Sequence, residues 1–194
     1  MSRSDKIELF KEETIKFNKK HNLISKKNPG KIIDEAIEEA TALTKHLKRY
    51  RNILDIGTGS GLPGIPLAIF NENKNIYLSE KNNKKNYHLK KIIKLLEIKN
   101  AKIVGGFNKD TKIGKKVDCV VTKAFASTKK TINLTNSLLE KPFTLMLLKG
   151  KLETINNEIV EANISKENYE IIKIETEKEK HILKIQNESN PCHC

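Results

Sequence analysis

The chain has 194 residues, 37% of them hydrophobic, and 37 lysine and arginine side chains against 24 aspartates and glutamates give a formal net charge of +13. This length fits one α/β domain with an appendage better than two independent domains, and the charge favours a polyanionic partner such as RNA, DNA or an anionic membrane. No apolar run approaches the ~20 residues of a membrane span, and the first residues lack the apolar stretch of a signal peptide. We therefore expect a soluble cytoplasmic protein.

The N-terminal 48 residues are predicted to form helices. Residues 5–18 carry apolar side chains among charged ones in a rough amphipathic pattern, and residues 31–48 resume this pattern after a break at Asn28, Pro29 and Gly30. We therefore expect an N-terminal helical extension over 1–48, followed by a second unit over 49–194.

From Asn52 onward, short apolar runs of strand length alternate with helical patterns. This alternation predicts an α/β fold with a mostly parallel, doubly wound sheet that carries helices on both faces. Two apolar runs near the C-terminus, joined by charged residues, predict an antiparallel hairpin that closes the sheet. The predicted strands are 52–56, 75–79, 102–104, 117–122, 143–148, 169–174 and 181–186, and helices are predicted from Pro63 and over 84–97, 128–139 and 151–163.

A glycine-rich loop follows the first predicted strand. Gly57, Gly59 and Gly61 allow the backbone to turn tightly and to approach a ligand closely. A dinucleotide fingerprint that begins at Gly57 requires its third glycine where Leu62 stands, so this register disfavours a nicotinamide cofactor. An acidic residue two positions before the glycines, here Asp55, is typical of sites that bind methionine-derived cofactors. These cofactors carry positive charges, which a carboxylate attracts. The loop therefore predicts a site for S-adenosylmethionine.

Glu80 ends the second predicted strand. An acidic side chain in this position can accept hydrogen bonds from both ribose hydroxyls of a nucleoside cofactor. The alternative is an ordinary solvated strand end. With the glycine loop before it, Glu80 is a candidate cofactor ligand.

Beyond these features, the sequence resembles one family, the small-subunit ribosomal RNA guanine-N7 methyltransferases known as RsmG or GidB. The glycine loop over 55–68 includes the family's Leu-Pro-Gly extension, and the segments HNLIS at 21–25, TKAFAS at 122–127 and LKG at 148–150 are similar to further family blocks in the same order. The resemblance implies a Rossmann-like class I methyltransferase that uses S-adenosylmethionine. Its substrate would be the guanine at position 527 of 16S ribosomal RNA, either free or in the small ribosomal subunit.

Carried over by position, the resemblance implies cofactor contacts at Gly57, Leu62, Asn108, Lys109 and Lys123. Lys109 replaces an acidic residue of the family. Lys123 stands where the family usually has arginine, so the planar guanidinium, which can donate two parallel hydrogen bonds, is replaced by a compact ammonium group.

The second predicted helix also departs from the family. Glu35 and Ala36 replace an arginine-histidine pair, and Glu39 occupies the place of an aspartate. How the N-terminal helices meet RNA is therefore left open by the resemblance.

Guanine N7 carries an unprotonated lone pair at neutral pH, so its methylation needs no general base and depends mainly on positioning. We hypothesise that Lys123 lines the methyl-transfer side, while Lys149 holds an RNA phosphate or the O6/N7 edge of the guanine. The alternative for both is a lysine that snorkels from a strand end. Phe125 either stacks on the target base or belongs to the core.

The three cysteines predict neither a disulfide framework nor a metal site. Cys119 lies in an apolar run and is predicted to be a buried core residue instead of a nucleophile. The Cys192-His193-Cys194 tail is one ligand short of a structural zinc site and is expected to fray.

Two other functions remain open. The chain could methylate another substrate, or it could be a cofactor-binding module with little activity. We favour a monomer.

Overall fold

The computed structural model describes residues 1–111 and 113–187, and a single seven-stranded sheet forms its centre. The strand order is β3-β2-β1-β4-β5-β7-β6, in which the first five strands are parallel and β7 runs antiparallel to both of its neighbours. The strands are β1 Asn52–Ile56, β2 Asn75–Ser79, β3 Ala101–Gly105, β4 Cys119–Lys123, β5 Phe143–Lys149, β6 Tyr169–Ile174 and β7 Lys180–Asn187.

Six α-helices surround the sheet in the described part of the chain, and with them the predicted α/β fold is confirmed. The order of elements and the closing antiparallel hairpin are those expected from the sequence, with most bounds shifted by a residue or two. The helices are α1 Arg3–His21, α2 Pro29–Thr44, α3 Gly64–Phe70, α4 Asn83–Leu95, α5 Thr128–Leu138 and α6 Leu152–Ala162.

The second helix ends earlier than predicted. We expected it to reach residue 48, but α2 ends at Thr44 and the backbone continues in tighter turns, in which the Lys45 amide donates to the Ala42 carbonyl at 3.2 Å. The ammonium of Lys74 donates to the carbonyls of Lys48 and Tyr50 at 3.2 and 2.6 Å. These contacts hold the segment between α2 and β1, which directs the chain into β1.

Two apolar layers pack on opposite faces of the sheet, because successive strand side chains point to opposite sides. Ile53 of β1 belongs to the layer under α1 to α4, whereas its neighbour Leu54 belongs to the layer under α6. Phe10 of α1 and Ile33 of α2 are fully buried in the first layer. The N-terminal helices therefore share the core of the sheet, and the division after residue 48 stays a prediction.

Within residues 1–111 and 113–187, no helix combines the length and apolar character needed to cross a membrane. The Cys192-His193-Cys194 segment lies outside these residues.

Candidate functional site

The glycine loop between β1 and α3 is held from two sides. The amides of Gly57 and Thr58 both donate to the Ser79 carbonyl at the end of β2, at 2.9 and 3.0 Å. From below, a carboxylate oxygen of the fully buried Asp55 accepts a hydrogen bond from the Gly64 amide at 2.9 Å. The carboxylate of Asp55 therefore fixes the far end of the loop to the strand that precedes it.

The buried environment changes the acidity of Asp55. Burial, with a smaller contribution from the charge of Glu80, raises the pKa of this carboxyl to about 7, although the Thr58 hydroxyl and the Gly64 amide act to lower it. Near neutral pH the group is therefore poised between its neutral and charged forms. A cation above the loop would favour the charged form.

Two glycines of the loop are required by close approach. A Cβ on Gly64 would lie 2.6 Å from the Asp55 carboxylate and 2.3 Å from the Leu78 side chain. Gly57 has a φ of +73°, and a Cβ there would lie 2.6 Å from the ring of Phe125. A side chain at either position would therefore displace a neighbour, and at Gly57 it would also strain the backbone.

The other loop residues predicted to bind the cofactor lie along the same turn. Gly59 and Gly61 also have positive φ values, +60° and +98°, and Leu62 is largely buried. The backbone between β1 and α3 thus forms a cradle that is free of Cβ atoms at three alternate positions.

Glu80 lies directly after β2 and is mostly buried. One of its carboxylate oxygens accepts from the Asn82 amide at 2.7 Å, and the other lies 3.9 Å from the Lys85 ammonium. Its backbone amide donates to the Gly105 carbonyl at 2.8 Å, which joins it to the end of β3. Glu80 is thus a fixed carboxylate beside the glycine loop instead of a solvated strand end.

Asn108 and Lys109 lie in an exposed loop after β3. The Asn108 amide donates to the Thr111 hydroxyl at 2.8 Å, and its side-chain oxygen accepts from the Asp110 amide at 2.9 Å. These bonds leave the Asn108 side chain engaged within its own loop. Both residues stay predicted cofactor ligands.

Lys123, at the end of β4, is held by a residue from α2. Its ammonium lies 2.7 Å from one carboxylate oxygen of Glu39, while the Lys180 ammonium at the start of β7 lies 2.7 Å from the other. Glu39 is nearly inaccessible, with 2% of its side chain exposed. The predicted catalytic lysine is therefore held in a cluster with Glu39 and Lys180, whose site roles are not evident from the sequence.

Lys149, at the end of β5, has a carboxylate partner of its own. Its ammonium lies 2.5 Å from Glu158 of α6, and the hydroxyl and amide of Thr128 donate to the same oxygen. Burial raises the pKa of the Glu158 carboxyl, but the hydrogen bonds from Lys149 and Thr128 outweigh it and keep the pKa below its usual value. Glu158 is therefore charged at neutral pH and neutralises Lys149.

Both lysine clusters line one cavity of about 310 Å³ at the carboxyl ends of β4 and β5. Phe125, 39% exposed, also lines this cavity, and its ring packs against Gly57. The ring therefore stands between the glycine loop and the cavity. It is not a core residue, which excludes one of the two roles expected for it.

The carboxyl ends of the parallel strands form one edge of the sheet, which carries the glycine loop, Glu80, Lys123 and Lys149. Ligands of such folds bind at this edge. Sequence reasoning missed Lys180 and Glu158, because each contacts its partner only through folding. In the sequence, Lys180 and Glu158 are only charged residues beside apolar runs, and this pattern is too common to indicate a site.

Cys119 is fully buried in β4, and burial raises the pKa of its thiol. The predicted core role is confirmed, since a buried thiol with a raised pKa is a poor nucleophile.

Comparison with known proteins places these features in a family. The family model described as rRNA small subunit methyltransferase G matches residues 3–185. The ribosomal RNA small subunit methyltransferase G of Brachyspira hyodysenteriae is 34% identical over 189 residues, which are 95% of this chain and 91% of that protein.

Solved structures show the same fold at lower identity. A methyltransferase from Pyrococcus furiosus has a TM-score of 0.62 at 16% identity, covering 81% of this chain and 85% of its own. M. jannaschii TYW2 in complex with AdoMet has a TM-score of 0.54 at 21% identity, covering 78% of this chain and 74% of its own. These structures show the fold alone. The family match over nearly the whole sequence and the 34% identity to the Brachyspira hyodysenteriae protein show that the chain belongs to the rRNA small subunit methyltransferase G family.

Proposed function

We propose that this protein transfers a methyl group from S-adenosylmethionine to N7 of a guanine in 16S ribosomal RNA, by resemblance the guanine at position 527. One observation carries the proposal in the structure: Phe125 touches the glycine loop on one side and lines the lysine-bearing cavity on the other. A methyl donor on the loop and a base in the cavity would therefore be neighbours. Family membership supplies the substrate class.

The cradle fits S-adenosylmethionine by its chemistry. Asp55 and Glu80 place two carboxylates at the loop, which suits a cofactor that carries an ammonium and a sulfonium but no phosphate. The cofactor supplies a methyl group on a positively charged sulfur. We propose that its contacts are made by Asp55, Gly57, Gly59, Gly61, Leu62, Glu80, Asn108, Lys109 and Lys123.

In the reaction, the N7 lone pair forms a bond to the methyl carbon while the carbon-sulfur bond breaks and its electron pair stays on sulfur. The positive charge thereby moves to the guanine, and no proton has to be removed. The protein's task is to hold the two partners in line, an effect worth up to ~7–11 kcal/mol of barrier. Phe125 stacks on the base in this proposal, and Lys123 borders the transferred group.

Lys149 contacts either an RNA phosphate or, on the O6/N7 edge of the guanine, the O6 atom, which leaves the N7 lone pair free to react. Its pairing with Glu158 gives it a defined direction at the cavity wall before RNA arrives. We further propose that the substrate is the 16S RNA or the small ribosomal subunit, that the protein acts in the cytoplasm, and that it is a monomer.

The test is to incubate the protein with methyl-labelled S-adenosylmethionine and undermethylated small ribosomal subunits, and separately with purified 16S RNA. We expect 7-methylguanine in the RNA with at least one substrate. Label that resists ribonuclease would instead indicate another substrate. Cofactor binding without any transfer would indicate a binding module.

Replacing Lys123 by alanine should abolish turnover, because the proposed active site loses the side chain that borders and positions the transferred group. Lys129 lies a few residues later on α5 and is exposed, so Lys129→Ala is the matched control and should keep parental activity. The measurement is the rate of 7-methylguanine formation. A Lys123→Ala rate within a few-fold of the parent would refute the catalytic role.

A further inference from the structure

Glu39 is the most deeply buried carboxylate in the lysine-lined cavity, although it comes from α2, outside the sheet. Its two oxygens each contact a different lysine at 2.7 Å, Lys123 from the end of β4 and Lys180 from the start of β7. The lysine side chains are 23% and 24% exposed, against 2% for Glu39. One carboxylate thus joins three elements in the wall of the cavity.

The charges in this cluster are unequal. Glu39 carries one negative charge and Lys123 and Lys180 carry one positive charge each, so the cluster keeps a net positive charge beside the cavity. Without the carboxylate the two ammonium groups would repel each other across a poorly solvated space. Their close placement therefore depends on Glu39.

Two further ion pairs join α2 to the same hairpin. Lys31 lies 2.9 Å from Glu177, and Glu35 lies 2.5 Å from Lys178. With Glu39 they follow each other at four-residue spacing, which places them on one face of the helix. These two pairs are more exposed and hold α2 against the hairpin. Glu39 contacts the hairpin through Lys180 and also contacts the predicted catalytic Lys123.

We propose that Glu39 is a positioning residue, which holds Lys123 and Lys180 side by side at the cavity and so makes α2 part of the methyl-transfer site. This inference rests on the proposed function of Lys123. Lys180 then supplies the uncompensated positive charge, which suits a phosphate of the target RNA. The N-terminal helices act on the reaction through this contact.

The test compares Glu39→Gln with Glu35→Gln. Both substitutions remove a carboxylate charge from the same face of α2 and break an ion pair with the hairpin, but only the first releases Lys123. We expect Glu39→Gln to lower kcat for RNA methylation by about tenfold to a hundredfold, the cost of slight misplacement at a reacting centre. Glu35→Gln should stay within about twofold of the parent, and Glu39→Asp, which keeps the charge, should recover part of the loss.

A second readout does not depend on activity. The rate at which an amine-reactive reagent modifies Lys123, measured by mass spectrometry below the unfolding temperature, should rise in Glu39→Gln and stay unchanged in Glu35→Gln. Equal losses of kcat in the two glutamine variants, or unchanged Lys123 labelling in Glu39→Gln, would overturn the proposal. If the parent methylates no RNA, the proposed function fails, while the labelling comparison still decides whether Glu39 holds Lys123.

Discussion

The carboxylate of Asp55 is buried beneath the glycine loop and contacts the Gly64 amide, so it shapes the loop before any cofactor arrives. The sequence pattern indicated an attraction for the cofactor's positive charges. Both roles are compatible, because a second oxygen and a negative charge remain after the bond to Gly64. They can be separated by substitution.

Asp55→Asn keeps an acceptor for the Gly64 amide but cannot become charged. Because burial sets the pKa of Asp55 at about 7, we expect the affinity of the parent for S-adenosylmethionine to rise as pH increases from 6 to 8.5, since ionisation provides the attracting charge. Calorimetric titration should give a clearly flatter pH profile for Asp55→Asn, in which the cofactor's own ionisation is unchanged. Parallel profiles would refute the electrostatic role.

Asp55→Ala removes the acceptor as well. We expect its free energy of unfolding to fall by about 1–3 kcal/mol, the cost of leaving a buried donor without a partner. Asp55→Asn should lose less. Chemical denaturation of both variants measures the difference, and equal losses would show that the bond to Gly64 contributes little.

Gly57→Ala should impair both stability and cofactor binding. The new Cβ would meet the Phe125 ring at 2.6 Å and would occupy a backbone with a φ of +73°. Gly114→Ala is the control, since Gly114 has a similar φ of +71° and no neighbour within 4 Å of its Cβ position. The control should show only the conformational cost of about 1–2 kcal/mol, so equal unfolding free energies would mean that Phe125 yields freely.

At the scale of elements, α1 is joined to α4 by a buried histidine. The Nε2 atom of His88 lies 3.2 Å from the Thr14 hydroxyl, and the Phe17 ring packs on the imidazole with 4.9 Å between centroids. His88 is 1% exposed, and burial lowers its pKa to about 4, with a further lowering by Lys91. The buried imidazole between the two helices is therefore neutral near neutral pH.

This contact should make folding sensitive to acid. Between the folded pKa of about 4 and the usual value of 6.5, the unfolded chain binds a proton that the folded chain excludes, so stability falls as pH decreases through this window. We expect His88→Gln to lose about 1–3 kcal/mol less than the parent between pH 7 and pH 4.5. Denaturant unfolding at both pH values measures this.

The parent must be compared with His88→Gln because Asp55 changes the pH dependence of stability in the opposite direction. Its raised pKa means that acidification from pH 7 favours the folded state. If His88→Gln shows the same pH dependence as the parent, the neutral His88 does not contribute to the acid sensitivity.

At the scale of the whole molecule, the N-terminal helices and the sheet share one apolar layer. Phe10, Ile33 and Leu43 are fully buried together with Ile53 and Ile65. We propose that residues 1–48 form an extension of the methyltransferase domain over 49–194 and that the two parts belong to one folding unit.

A chain that begins at residue 49 should therefore fail to unfold cooperatively. Exposing several large apolar side chains, at about 1.5–3 kcal/mol each, removes most or all of the stability of an ordinary domain. A chain that begins at residue 22, which lacks only α1, should lie between this truncation and the parent. Thermal unfolding followed by circular dichroism is the measurement. A cooperative transition near the parental Tm for the shorter chain would show that 49–194 folds independently.

The sequence by itself determined the order of the elements, the sheet with its closing hairpin and the nature of the glycine loop. These features depend on the local periodicity of apolar residues and on the residues that tolerate a tight turn. Both can be recognised from residues that are neighbours in the sequence. The early end of α2 at Thr44 was not predicted, because the segment after it is held by Lys74, which comes from the loop before β2 and is brought there by folding.

Only the tertiary structure decided how the site is assembled. The ring of Phe125 against Gly57, the carboxylate of Glu39 between Lys123 and Lys180, and the pairing of Lys149 with Glu158 all join segments that folding brings together. A lysine at a strand end looks the same in sequence whether it is solvated or held by a buried carboxylate. The difference arises from the packing of α2 and α6 at the carboxyl edge of the sheet, where the low exposure of Glu39 and its contacts with two lysines fix both at the cavity.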